Sequence, residues 1–174
     1  MKSIGIFYGS STGNTEMAAE KICEQLGQFV SHCADVSKSE PEELQNYDIL
    51  LLGVSTWNIG EMQDDWDEFI PRMEGLDLAG KQVGFFAMGD AIGYSYNFLD
   101  AMGQLWNVVK ELGSPQLVGI WPTEGYEFDE SEAVYDDNHF VGVGLDEDNE
   151  PDLHDERIKG WLMKIMTDCE LLPS

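Results

Sequence analysis

Residues 4–22 constrain the fold most strongly, because an apolar run passes through a hydroxyl-rich turn directly into a helical pattern. The run Ile4–Tyr8 is typical of a buried parallel strand, and the apolar residues spaced along 17–26 form the inward stripe of a helix. Residues 10–15 therefore join a strand to the start of a helix. Backbone N–H groups at such a start have no partner within the helix and carry the positive end of its dipole. This junction is predicted to bind an anion, most simply a phosphate group.

The composition of the junction limits which kind of phosphate group it can bind. Its polar side chains are neutral hydroxyls and an amide, and no Lys follows the glycine as a Walker loop requires. The junction also lacks the GxGxxG pattern of dinucleotide sites and the Cys and Arg of cysteine phosphatases. The sequence thus predicts a site that holds a terminal phosphate monoester without cleaving it. The alternative is an ordinary strand-to-helix turn with a capped helix.

Two later loops also follow apolar runs, and each contains an aromatic residue among glycines. The segment TWNIGEM occupies residues 56–62, and GDAIGYSYNF occupies residues 89–98. In an open parallel sheet, loops beyond the carboxyl ends of the strands share one crevice, so Trp57 and Tyr94 are expected beside the phosphate loop. Two aromatic side chains near a phosphate site favour a planar ring with a phosphorylated tail as ligand. The alternative is that each is a partly buried loop aromatic.

With these three motifs the chain resembles the flavodoxins, small FMN-carrying electron-transfer proteins, over nearly its whole length. The resemblance rests on TGNT at residues 12–15, TWNIG at 56–60 and GDAIGY at 89–94. It implies that Trp57 and Tyr94 cover opposite faces of the isoalloxazine ring, that the backbone of residues 58–60 lies by the flavin N5, and that Asp90 meets the pyrimidine edge. The predicted FMN-binding residues are Ser10, Ser11, Thr12, Gly13, Asn14, Thr15, Ser55, Thr56, Trp57, Asn58, Ile59, Gly60, Met88, Gly89, Asp90, Gly93, Tyr94, Asn97, Phe98 and Asp146.

Strand and helix patterns alternate along the chain and predict one α/β domain over residues 1–174, with a doubly wound five-stranded parallel sheet and helices on both faces. The resemblance implies the strand order 2-1-3-4-5. The last strand stops at Pro122 and resumes at Phe140, which predicts an insertion at about 122–139 without regular structure. In the resemblance, this insertion marks the long-chain flavodoxins of bacteria. Predicted strands cover residues 3–8, 29–35, 48–55, 81–88, 117–121 and 140–145, and predicted helices cover 14–27, 64–74, 97–112 and 153–168, with a short turn at 41–46.

The net charge of −25 excludes nucleic acid and anionic membrane surfaces as partners. The acidic residues are concentrated: 14 lie in residues 123–156 and nine in 38–72, with no Lys or Arg between the ends of either stretch. Several of the second group follow Trp57 at once, so negative charge is expected to rim the crevice. This rim favours docking to a basic flavoprotein reductase of the ferredoxin/flavodoxin-NADP reductase type and to redox acceptor enzymes. A generally acidic surface that keeps the protein soluble is the alternative.

The cysteines and histidines predict no metal site. Cys23, Cys33 and Cys169 form no CxxC pair, and His32, His139 and His154 are isolated along the chain. The chain shows no secretory signal pattern and no apolar run of membrane-spanning length. These observations favour a protein of the reducing cytoplasm, and it is expected to be a monomer.

The predicted function is that of a low-potential electron carrier, not an enzyme. Negative charge around the flavin disfavours the anionic hydroquinone, so the protein is expected to shuttle between the semiquinone and the hydroquinone. A carbonyl near Asn58 and Ile59 is expected to accept a hydrogen bond from the semiquinone N5–H, and Gly60 eases that rotation. The alternatives are an FMN-dependent NAD(P)H:quinone reductase of the same fold and a doubly wound signalling domain. The acidic rim argues against the first, and hydroxyl groups in place of a phosphoacceptor Asp argue against the second.

Overall fold

A parallel sheet of five main strands organises the protein in the computed structural model, which describes residues 2–171. The spatial order of the main strands along the chain is 2-1-3-4-5, as predicted, and a short antiparallel strand extends the third. The fifth main strand consists of two segments, which both pair with the fourth. In chain order the strands are β1 (Ile4–Tyr8), β2 (Val30–Asp35), β3 (Ile49–Trp57), β4 (Glu61–Met62), β5 (Gln82–Met88), β6 (Gln116–Leu117), β7 (Trp121–Pro122), β8 (Val134–Asp136), β9 (His139–Phe140) and β10 (Val143–Leu145).

Residues 2–171 contain four α-helices, of which the first three lie between strands and the last follows β10: α1 (Asn14–Leu26), α2 (Asp64–Phe69), α3 (Asp100–Val109) and α4 (His154–Asp168). The sequence predicted each helix in place, but the end of α2 and both bounds of α3 differ by three residues or more. After Phe69 the chain tightens into a 3-10 turn at Ile70–Met73, which contains Pro71. Helix α3 begins only at Asp100, because Leu99 has a left-handed φ of 61°. No helix within residues 2–171 is long and apolar enough to cross a membrane.

The two faces of the sheet bury separate apolar layers. On one face Ile4 and Ile6 of β1 pack with Ala19 and Ile22 of α1 and with side chains of α4. On the other face the alternate residue Phe7 packs in a layer that includes residues of α2 and α3. The strict alternation along β1 is the period-2 pattern of a strand covered on both faces. This packing places the start of α1 and the ends of β3 and β5 at one edge of the sheet.

The insertion differs from the prediction in extent and in structure. The fifth strand leaves the main sheet after Val118 and returns near Gly142, so the predicted strand at 117–121 extends too far. Strands β7, β9 and β8 form a small antiparallel sheet within the insertion. Strands of two or three residues are too short to show alternation, which is why the sequence predicted no regular structure here. Tyr126 anchors the insertion: its hydroxyl donates to the Gly144 carbonyl (2.7 Å), and the Arg157 guanidinium lies 4.0 Å from its ring centroid.

Candidate functional site: a crevice at the carboxyl ends of the strands

The three predicted loops meet in a crevice of about 220 Å³ beyond the carboxyl ends of β1, β3 and β5. This is the edge at which doubly wound sheets bind ligands. A segment after β10 closes the remaining side. The crevice is lined by Ser11, Thr12, Asn14, Thr15, Ser55, Thr56, Trp57, Asn58, Met88, Gly89, Asp90, Tyr94, Glu147 and Asp148.

The loop before α1 presents an uncapped helix start. Gly13 occupies the N-cap position with φ of 91°, which favours glycine, and has no side chain to bond the first-turn N–H groups. The Ser10 hydroxyl accepts from the Gly13 amide (3.0 Å) and fixes the turn. The Ser11 hydroxyl accepts from the amide of buried Gln63 (3.0 Å), which ties the loop to the start of α2. The N–H groups of residues 14–16 thus remain available to an anion.

Trp57 stands at the base of a tight hairpin. It pairs with Glu61 across β3 and β4, and residues 58–60 form the turn. Asn58 (φ 48°) and Gly60 (φ 86°) both adopt left-handed backbone, and the exposed Ile59 lies between them. The Trp57 indole N–H donates to the Ser55 hydroxyl (3.0 Å), which holds the ring at the crevice wall. The Gly60 carbonyl accepts from the Gln104 side chain of α3 (3.1 Å), and the Asn58 side chain donates to Glu61 (3.2 Å), so the turn is held beside the crevice.

Tyr94 lies on a loop that Asp90 closes. The Asp90 carboxylate accepts from the Ile92 amide (3.1 Å), the Gly93 amide (2.7 Å) and the Asn149 side chain (2.8 Å). Partial burial opposes ionisation of Asp90, but these hydrogen bonds lower its pKa overall. Tyr94 remains 42% exposed, so one face of its ring is free to meet a ligand.

Asp146 connects this loop to the segment after β10. Its carboxylate is fully buried and accepts from the Ala91 amide (3.0 Å), the Asn149 amide (3.0 Å) and the Asn149 side chain (2.8 Å). Asp146 does not line the crevice; it lies behind Asp90 and holds the Tyr94 loop in place. Its role in the structure is to position residues that do line the crevice.

Carboxylates give the crevice a strongly negative wall. Asp90, Asp146 and Asp148 each place a carboxylate oxygen within 4.8 Å of the others. Partial burial and then the charges of Asp90, Asp146 and Glu147 raise the pKa of Asp148. Asp90 and Asp146 are satisfied by protein donors, and the absence of a metal site stays a prediction. No Lys or Arg lines the crevice among residues 2–171.

The structure brings most predicted site residues to the crevice, and their part in cofactor binding stays a prediction. Ser10, Gly13, Gly60 and Gly93 shape the surrounding turns, and Ile59 is exposed at the Trp57 turn. Asn97 donates to Asp100 (3.0 Å) beneath Gly60. Phe98 is the clear exception: it is buried in the core, where it packs on Tyr126, Phe128 and Phe140.

The predicted FMN site did not include Glu147 and Asp148. Both line the crevice, and Glu147 also lies 3.3 Å from the buried His154 ring nitrogen. Their position directly beyond the last strand could have indicated that they line the crevice, since the carboxyl end of β10 lies beside that of β5.

The comparisons with known proteins agree on one protein family. The family model described as "Flavodoxin" matches residues 6–161. The chain is 46% identical over 171 residues to Flavodoxin 1 of Escherichia coli, covering 98% of this chain and 97% of that protein. It is 45% identical over 166 residues to a flavodoxin of Synechocystis, covering 95% and 96% of the two chains. The crystal structure of Fusobacterium nucleatum flavodoxin bound to flavin mononucleotide has a TM-score of 0.89 and 29% identity, covering 97% of this chain and 99% of that one.

Proposed function

The chain belongs to the flavodoxin family, and we propose that it is a low-potential one-electron carrier that holds FMN non-covalently in the crevice. One observation carries the proposal: an uncapped helix start opens into a crevice that has an aromatic side chain on each of two loops, Trp57 and Tyr94. This combination suits a ligand with a phosphate at one end and a flat ring at the other. The 20 residues predicted from the sequence remain the proposed FMN site, with Asp146 and Phe98 acting from behind it.

The phosphate end fits the loop before α1. The N–H groups of residues 14–16 are uncapped, and the hydroxyls of Ser11, Thr12 and Thr15 line the same space. These neutral donors would hold a phosphate dianion, and the dipole of α1 adds a favourable field. Without a lysine, the loop provides nothing to promote phosphoryl transfer. Residues 10–15 thus bind and orient the phosphate.

The ring end fits between the aromatic side chains. Trp57 and Tyr94 would cover the two faces of the isoalloxazine and exclude water from it. When bound, FMN supplies the capacity to accept and release electrons one at a time. The Asn58–Gly60 turn would offer a backbone carbonyl to N5, and the left-handed Gly60 would ease rotation of that peptide.

The charges of the crevice would lower the potential for adding the second electron. That electron adds negative charge where Asp90, Glu147 and Asp148 already line the wall, and no Lys or Arg among residues 2–171 lines the crevice beside them. Like charges raise the free energy of the reduced state, most strongly where water is excluded. The reduced protein is therefore proposed to be a strong one-electron donor.

The surface around the crevice suits transient docking. Glu61 and Asp64 lie beside Ser11 and Trp57 in an adjoining depression, and the remaining carboxylates of α2 continue the acidic surface. Exposed Ile59, Ile92 and Tyr96 lie on the two aromatic loops. A basic reductase of the ferredoxin/flavodoxin-NADP reductase type would be steered by the carboxylates and would meet the apolar side chains last. We propose that the chain acts in the cytoplasm as a monomer that alternates between this reductase and acceptor enzymes.

Ligand selectivity tests the proposal. Apoprotein titrated with FMN and with riboflavin should bind FMN far more tightly, because riboflavin lacks the phosphate that residues 10–15 would hold. Stepwise anaerobic reduction of the FMN complex should then show two separate one-electron steps, the second at low potential. Equal affinity for the two ligands would refute the phosphate site, and a single two-electron step would refute the carrier mechanism.

A further inference from the structure

Cys23 and Cys33 come together on one face of the sheet, far from the crevice. Cys33 lies on the edge strand β2 and pairs in register with Ile6 of β1, so both side chains point to the same face. Ile6 belongs to the apolar layer beneath α1, and Cys23 of α1 packs against that same layer. The topology therefore directs the Cys33 side chain toward the helix that carries Cys23.

Both side chains lie at the contact between α1 and β2, and they differ in accessibility. Cys33 is exposed, whereas Cys23 is half-buried. The neighbouring Cys23 thiol lowers the pKa of Cys33, although partial burial and the Glu20 carboxylate oppose this. Conversely, Cys33 raises the pKa of Cys23, and burial adds to that effect. The exposed thiol of Cys33 is thus the more acidic of the two and the better candidate nucleophile.

We propose that Cys23 and Cys33 form a dithiol site that low-molecular-weight disulfides, such as oxidised glutathione, convert reversibly into an intramolecular disulfide. The Cys33 thiolate attacks one sulfur of the small disulfide, forms a mixed disulfide and expels one small thiolate. The Cys23 sulfur then attacks the Cys33 sulfur and expels the second. The protons of both cysteines pass to the expelled thiolates, so one small disulfide is reduced to two thiols while the protein dithiol is oxidised.

This site is separate from the electron-transfer crevice. Cys23 lies nine residues beyond Asn14 on α1, which is about 14 Å along the helix axis. The electrons leave through the small disulfide, and the cofactor takes no part. The disulfide would tie α1, the helix whose first turn borders the crevice, to the edge strand of the sheet.

Oxidation of the intact FMN-loaded protein tests the site. The protein is equilibrated anaerobically in buffers with graded ratios of reduced to oxidised glutathione, quenched with acid and measured by intact mass and free-thiol alkylation. The expected product has lost the mass of two hydrogen atoms, retains one free thiol and yields a peptide that links Cys23 to Cys33. Cys169 stays free because it is fully buried and burial raises its pKa to about 11.

Single substitutions assign the two roles. Cys23→Ser should stop the reaction at a stable mixed disulfide on Cys33, and Cys33→Ser should slow the reaction more than about tenfold because the thiolate is lost. Cys169→Ser is the matched control and should oxidise like the parent protein. In the unsubstituted protein, iodoacetamide should label Cys33 first of the three thiols. Three free thiols in the most oxidising buffer, a mixed disulfide that Cys23 does not resolve, or disulfide-linked dimers alone would overturn the proposal.

Discussion

Replacing Asp146 by Asn separates its positioning role from its charge. The substitution keeps one carbonyl oxygen, but in either orientation its NH₂ group replaces an oxygen that now accepts from a backbone amide, that of Ala91 at Oδ2 or that of Asn149 at Oδ1. The Asn149 side chain is exposed and can turn to water. The main penalty is therefore one backbone N–H of this segment without a partner, which costs about 1–3 kcal/mol.

That penalty is expected to appear in cofactor binding, because Ala91 begins the loop that carries Tyr94. If the loop must adopt its present conformation to bind FMN, the dissociation constant should rise about 5- to 150-fold, since 1.4 kcal/mol corresponds to a factor of ten. Fluorescence titration of FMN with apoprotein measures this change directly, because the bound flavin would be quenched by the aromatic side chains.

Asp148→Asn is the matched control. It removes the same charge from the same carboxylate cluster, but Asp148 is exposed and its carboxylate accepts no protein hydrogen bond among residues 2–171. Both variants should raise the potential for the second electron, because both remove a negative charge near the crevice. Only Asp146→Asn should weaken FMN binding markedly. Equal FMN affinities for the two variants would refute the positioning role of Asp146.

Four further outcomes are expected. Trp57→Ala and Tyr94→Ala should each weaken FMN binding and raise the potential for the second electron, because water would reach an exposed ring face; spectroelectrochemical titration measures both effects. Gly60→Ala should lower the free energy of unfolding in urea by more than Gly125→Ala. Both substitutions cost about 1–2 kcal/mol because the backbone is left-handed at both positions. Only the new Cβ at residue 60 would also meet another atom, Asp100 Oδ2 at 2.8 Å, because nothing lies within 4 Å at residue 125. The pKa of Asp148 is raised in the folded state, so the free energy of unfolding should fall as pH rises from the ordinary carboxyl pKa through this raised value. Asp148→Asn should remove that fall and be more stable in urea than the unsubstituted protein at neutral pH. Replacing Asp64 and Asp67 by Asn should flatten the salt dependence of reduction by a basic reductase in stopped-flow measurements, and a rate insensitive to both salt and substitution would leave the acidic surface without a part in docking.

The sequence predicted the three crevice loops because their signals are local, whereas the strand order was implied by the family resemblance. Each loop joins a long apolar strand to a helix or turn, and the parallel sheet then determines where the strand ends meet. The sequence could not show which acidic residue in 146–150 would be buried, because its burial depends on a hydrogen bond from the Ala91 amide of a distant loop.

Phe98 shows that the sequence also does not determine whether a given apolar residue enters the crevice or the core. Its position after Tyr94 is compatible with either the crevice or the core, and the aromatic side chains of the insertion decide for the core. The contact between Cys23 and Cys33 is equally invisible in the sequence, since a spacing of ten residues matches no cysteine motif. It arises only when a helix packs beside an edge strand.

Because the fifth strand is split in two, the insertion could be deleted without changing how the main sheet pairs. Residues 116–117 pair with 82–83, and residues 143–145 pair with 86–88. Between them, Val118 still donates to the Val83 carbonyl and Gly142 lies against Phe85, so these two residues fill the two places left along β5. Joining Val118 directly to Gly142 would produce one uninterrupted strand that matches β5 residue for residue. The loss of residues 119–141 would thus leave the register of the sheet intact, and its main cost would be the exposure of the apolar layer that Tyr126 and Phe140 now cover.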